Sequence, residues 1–176
     1  MDRKLHIGGQ VAAPSWEVFD ANPGPVVDHV GNAADLRSFP DNTFSAVYAS
    51  HVAEHFDYRN DLLATLKEWR RVLVPSGTLY VSVPDLDVLA KLFIDRDRFS
   101  VQDRFFIMRM IFGGHIDKYD YHLVGLNEEF LADFLRGAGF IDLRRVGTFG
   151  LFQDTSCMKF KDVPISVNLT CRKPTQ

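Results

Sequence analysis

The sequence is poor in cysteine and has no long apolar run. Its two cysteines, Cys157 and Cys171, make neither a disulfide framework nor a metal-ligand spacing. Free thiols fit a cytoplasmic protein. No stretch approaches the roughly 18 apolar residues of a membrane helix, so no membrane span is expected. Met1-Asp2-Arg3-Lys4 runs straight into a strand-like segment and does not read as a signal peptide. An excess of positive charge is also lacking. The net charge is −3 with both signs interspersed, which argues against a nucleic-acid partner held through its phosphates. Repeats, low-complexity tracts and linkers are absent, and 176 residues read as one domain, 1–176. What is abundant is phenylalanine: fifteen residues, which predicts an aromatic-rich core.

The chain is organised around Phe44 to Val83. Phe44-Ser45-Ala46-Val47-Tyr48-Ala49 reads as a strand buried on both faces, ending in the polar Ser50-His51-Val52-Ala53-Glu54-His55. Asp61 opens a helix with Leu62, Leu66, Trp69 and Leu73 on one face, and Pro75-Ser76-Gly77 stops it. Thr78 to Val83 is the next strand, closed by Pro84-Asp85. Strand, helix and strand at this spacing predict a parallel pair with a right-handed crossover. Ligands of such sheets bind past the carboxyl ends of the strands, where Ser50-His51 and Pro84-Asp85 sit. Upstream, Lys4 to Ile7, Trp16 to Phe19 and Val26 to Val30 read as short strands. Downstream, Asp85, Ser100 with Asp103, and Asn127 are helix caps, and Gly113-Gly114 and Gly137-Ala138-Gly139 are stops. Phe140 to Val146 and Ile165 to Thr170 read as the last strands.

This order of parts resembles the class I S-adenosylmethionine-dependent methyltransferases, over essentially the whole chain. Within them it looks most like a group of small predicted methyltransferases often associated with glycan biosynthesis. The residues that carry the resemblance are Lys4 to Gly9, Tyr48 to Phe56, Leu66 to Leu73, Val83 to Leu86, and Phe112-Gly113-Gly114 with Tyr119 to His122. It implies a Rossmann-like α/β sheet, mostly parallel with an antiparallel last strand, and S-adenosylmethionine as cofactor. It implies methyl transfer to a small-molecule or glycan acceptor. It places Gly8 and Gly9 under the cofactor's methionine part, Asp20 on the ribose hydroxyls, Asp35 and Leu36 at the adenine, and Ser50 and His51 on the sulfonium side. The family's turn usually carries one more glycine. Gln10 stands in its place, which predicts either backbone strain there or a side chain that holds the ligand away.

The front end is short. Residues 10–16 cover roughly 23 Å when extended, at about 3.3 Å each, enough to run back along a strand of about 17 Å without a helix. A nicotinamide oxidoreductase would place its pyrophosphate on the amino end of the missing helix, whereas S-adenosylmethionine has no phosphate to place. The other alternative is a degenerate module that binds without catalysing. His51, His55 and His122 are candidate bases for a poorly nucleophilic acceptor. Glu54 either joins them or pairs with the helix below. His115, Tyr119 and His122 lie in a polar, aromatic stretch suited to substrate, and the histidine spacing alone argues no metal site. Without front helices one face of the sheet is expected to be bare. Either residues 86–122, a helical insertion, or a second copy must then cover it, which predicts a homodimer.

Overall fold

The structure, a computed structural model, describes residues 2–175. Seven strands form one sheet: β1 (Lys4–Ile7), β2 (Trp16–Asp20), β3 (His29–Val30), β4 (Phe44–Ser50), β5 (Leu73–Pro84), β6 (Ile141–Arg145) and β9 (Ser166–Arg172). A separate hairpin joins β7 (Lys159–Phe160) to β8 (Val163–Pro164). The sheet runs in the order β3-β2-β1-β4-β5-β9-β6. β1 pairs in parallel with β2 and β4, β2 with β3, and β4 with β5, while β9 is antiparallel to both its neighbours. The sheet is therefore mostly parallel with an antiparallel last strand, as the sequence implied. The extended return from β1 to β2 also stands: no helix lies between them. The amino-terminal phosphate site of a nicotinamide fold is thus missing.

Among the described residues four α-helices, α1 (Asp61–Val72), α2 (Leu86–Ile94), α3 (Val101–Phe112) and α4 (Glu128–Gly137), and two 3-10 turns, Ala53–His55 and Thr155–Cys157, complete the architecture. Their starts follow local chemistry. The Asp85 carboxylate accepts from the Asp87 and Val88 amides, Ser100 and Asp103 form a reciprocal capping box, and Asn127 accepts from the Phe130 amide. Leu62, Leu66 and Trp69 of α1 and Leu131 and Leu135 of α4 bury against Leu5, Val47, Leu79 and Val81 of the sheet. None of the described helices is long and apolar enough to cross a membrane.

The opposite face is not bare. β5 alternates: Leu79, Val81 and Val83 join the α1–α4 core, while Thr78 and Tyr80 face the other way. Over β1 and β4 the residues following β6 fold back as a lid of aromatic side chains. The Phe152 ring centre lies 4.1 Å from that of His6, 4.8 Å from that of Tyr48 and 5.3 Å from that of Trp16. Phe149 packs edge-on to Tyr48 and Tyr80. The Tyr48 hydroxyl donates to Asp154 at 2.7 Å and ties the lid down. Residues 86–122 do not take this role. Their buried side chains Leu89, Leu92, Phe99 and Ile107 form a second small core with Ile165, Phe160 and Val163. The lid thus covers β1 and β4 on this face without a second copy. The apolar residues of the later helices are not all buried: Phe105, Phe112 and Phe130 are exposed.

His6 is sealed in this aromatic cluster, and its Nδ1 has no partner. Burial pushes its pKa down to about 4, against a weaker upward pull from the Asp154 carboxylate. The neutral ring is the form that folds. Its contribution is complete above about pH 6.5, where the ring is neutral in the unfolded chain too. It is lost as pH falls towards 4, because the unfolded chain binds a proton that the folded chain refuses. The expected loss is about 3 kcal/mol over that window. Urea melts at pH 7.0 and pH 4.5 should show it, and His6→Phe should remove this part of the pH dependence. An unchanged pH dependence in that variant means the ring is not the titrating group.

Candidate functional site

A cleft of about 710 Å³ opens at the carboxyl ends of β1, β2 and β4. Its floor is the turn after β1. Gly8 has φ +72°, and a Cβ there would stand 2.7 Å from Cγ2 of Val52, another cleft residue. Both the backbone and the close approach demand glycine. Gly9 serves packing below the cleft: a Cβ would lie 2.8 Å from the His6 ring. Gln10 has no left-handed backbone, so the expected strain is absent. Its side chain instead donates to Oδ2 of Asp20 at 3.3 Å, and the Asn22 amide donates to Oδ1 at 2.8 Å. Asp20 lines the cleft at the end of β2.

Asp35 and Leu36 do not reach the cleft. Asp35 pairs with Arg37 at 2.6 Å, and Leu36 is fully buried in the α1–α4 core. β3 is only two residues long, so the chain turns at once at Gly31 and meets the cleft with Asn32 and Ala33. By Leu36 it has already passed under α1, where the Leu36 amide donates to Glu68 and its carbonyl accepts from Arg71. The Trp69 indole donates to the Ala33 carbonyl at 2.9 Å and fixes this loop. The signal for Asn32-Ala33 was available in the sequence, in their place directly after β3.

Ser50 and His51 also part ways. Successive residues at a strand end point to opposite faces. Ser50 bonds to Thr155 at 2.8 Å under the aromatic lid, and His51 lines the cleft. His51 has φ +53°, which marks the sharp turn out of β4. Its Nε2 lies 2.9 Å from the Ser166 hydroxyl, which itself donates to the Thr155 carbonyl. The hydroxyl's one proton is thereby used, so Nε2 of His51 donates and Nδ1 is left unprotonated. Burial pushes this ring down to about 3.

The far wall of the cleft is the segment after α3, with Tyr119 and Tyr121. It is fixed to the β4 exit by the Leu123 amide, which donates to the Glu54 carbonyl at 2.8 Å. His115 stacks on Tyr121 with ring centres 4.0 Å apart. His55 lines the cleft, whereas His122 sits just beneath it. The two rings meet edge to face with centres 4.9 Å apart, and beside them is Glu54, 1% exposed, with neither carboxylate oxygen hydrogen-bonded. Its pKa is raised to about 8 and that of His122 lowered to about 4, both by burial. Ligand atoms of Glu54, His55 and His122 all lie within 4.8 Å of one another. The irregular sequence spacing of these residues concealed the cluster, because His122 arrives from a distant segment.

The chain matches the methyltransferase-domain family over residues 14–81. It is 33% identical over 70 residues to a probable methyltransferase, ltbC, of Aspergillus luteorubrus. That match covers 40% of this chain and 25% of the relative, so the chain spans about a quarter of the relative's length. Among solved structures it is similar to an S-adenosylmethionine-dependent methyltransferase from Archaeoglobus fulgidus, with TM-score 0.61 and 16% identity over 98% of this chain and 86% of the other. It is also similar to the Burkholderia thailandensis 1,6-didemethyltoxoflavin-N1-methyltransferase, solved with S-adenosylhomocysteine. There the TM-score is 0.59 and the identity 14%, over 98% of this chain and 72% of the other. A possible exported protein of Bordetella parapertussis matches with TM-score 0.61 and 13% identity, over 98% of this chain and 62% of that one. With its strand order and its cleft at the β1, β2 and β4 ends, the chain has the class I S-adenosylmethionine-dependent methyltransferase fold.

Proposed function

We propose that the cleft binds S-adenosylmethionine and that the chain transfers its methyl group to a small-molecule or glycan acceptor. The observation that carries this reading is the carboxylate of Asp20, held at the end of β2 beside a glycine cradle with no helix behind it. A carboxylate accepting from two hydroxyls suits a ribose, and the missing helix disfavours a dinucleotide pyrophosphate. Three features fit the cofactor: the cleft volume, the Cβ-free approach at Gly8, and the Asp20 acceptor. Asp20 would take the ribose, Asn32 and Ala33 the adenine edge, and Gly8 the methionine part. When bound, the cofactor supplies an electrophilic sulfonium methyl. The residues of this chain align the partners and exclude water, which is most of what an in-line displacement needs.

The acceptor would lie between His51 and His55 on one side and Tyr119 and Tyr121 on the other. Those two tyrosines offer flat apolar faces with polar tips, a surface suited to sugar rings and to aromatic small molecules. His122 lies too deep to meet an acceptor directly. Both cysteines are free, which fits the reducing cytoplasm.

Calorimetric titration with S-adenosylhomocysteine tests the reading. One site with micromolar affinity is expected. No heat at millimolar ligand would leave the degenerate, non-catalytic module in its place.

A further inference from the structure

Under the acceptor side of the cleft, three side chains converge without bonding to each other. Nε2 of His122 lies 3.9 Å from Oε1 of Glu54, and Nδ1 of His51 lies 3.7 Å from the same oxygen. Both separations are too long for a hydrogen bond. A buried carboxyl group with no hydrogen-bond partner is unusual, because removing it from water without compensation is costly.

The tautomers sharpen the picture. Nδ1 of His122 faces the Ile111 carbonyl at 3.2 Å, and Nδ1 of His55 faces the Tyr121 carbonyl at 3.0 Å. A carbonyl only accepts, so both Nδ1 atoms carry the ring proton. Both Nε2 lone pairs are then free; Nε2 of His122 is 3.9 Å from Glu54, and one ligand atom from each of the three residues lies within 4.8 Å of the others. A ring whose second nitrogen donates to a backbone carbonyl is oriented as metal-binding histidines are.

We propose that Glu54, His55 and His122 form a binding site for a divalent transition-metal ion such as Zn²⁺. Two imidazoles and one carboxylate are a donor set suited to such an ion. Around a tetrahedral ion with bonds near 2.0–2.2 Å, ligand atoms stand about 3.3–3.5 Å apart. The present separations, all within 4.8 Å, are wider than that spacing, and the ion would draw the three side chains inward. The carbonyl partners come from the end of α3 and from the segment after it, so the ion would tie that segment to the β4 exit. His55 lines the cleft, which puts the ion's remaining coordination position on the acceptor side. On the methyl-transfer reading, the acceptor is then one that offers an oxygen ligand, whose proton a metal ion makes easier to lose. Metal binding itself does not depend on that reading.

The test uses the full chain stripped with a chelator and titrated with Co²⁺ or Zn²⁺ alone. One Co²⁺ per chain should bind, with visible absorption of a low-coordinate nitrogen–oxygen site, and Zn²⁺ should displace it. Glu54→Gln, of the same shape, and His55→Ala, at a partly exposed position, should each weaken binding at least tenfold while the far-ultraviolet circular dichroism is unchanged. His115→Ala, outside the cluster, should bind as the native chain does. Absence of saturable binding by the native chain overturns the site, as does binding that survives both Glu54→Gln and His55→Ala. S-adenosylhomocysteine binding is measured separately on the same native sample, so loss of the metal site and loss of the methyltransferase reading give different results.

Discussion

Replacing Asp20 by alanine should lower affinity for S-adenosylhomocysteine by about 100-fold with the fold intact. The carboxylate stands at the carboxyl end of β2, with one oxygen on the Asn22 amide and the other on Gln10. Each oxygen has lone pairs to spare, and a ribose offers two hydroxyl donors. Hydrogen bonds to a charged group contribute about 1.5–3 kcal/mol each. Two would give a larger sum, but bound ligand must share the oxygens with Gln10 and Asn22, so about 3 kcal/mol is the expected loss, or roughly two decades in Kd. Asp20→Asn keeps the shape and one acceptor oxygen and should fall between the two. Calorimetry on folded Asp20→Ala with unchanged affinity would remove the ribose assignment.

Phe152→Ala should destabilise the chain by about 3 kcal/mol, the usual order for a buried phenylalanine, and lower Tm by roughly 6–12 °C for a domain of this size. The ring is 8% exposed and touches His6, Trp16 and Tyr48. Its removal opens the sheet face opposite α1 and α4. The control is Phe105→Ala on α3, a residue 60% exposed, which should change stability by less than about 0.5 kcal/mol. Thermal melts of the two variants decide what covers this face. Equal losses would mean that the aromatic lid adds nothing particular, and a large loss at Phe105 alone would return the cover to α3.

The sequence revealed most where structure is decided locally. The capping box of Ser100 and Asp103 and the cap at Asp85 lie within three residues of their targets. The run Phe44 to Ala49 and the βαβ unit around α1 were likewise readable, because burial and helical period are short-range signals. The lid was not. Tyr48 meets Asp154 across more than a hundred positions, and nothing near Phe152 indicates which strand it covers. The polar side of β5 was visible in Thr78 and Tyr80, whose alternation marks a strand with one less apolar face. At the site, Gly8 and Asp20 sit where the turn and strand end put them. Asp35 and Leu36 missed the cleft because a two-residue β3 brings the chain to it three positions earlier. The approach of His122 to Glu54 depends on how the segment after α3 returns to β4, which no local pattern reports.

A crystal structure of the chain with S-adenosylhomocysteine tests the central claim most directly. The ligand should lie in the cleft at the β1, β2 and β4 ends, with both ribose hydroxyls on Asp20, the adenine beside Asn32 and Ala33, and the sulfur facing His51. Ligand bound elsewhere, or in the cleft with Asp20 still held only by Gln10 and Asn22, would contradict it.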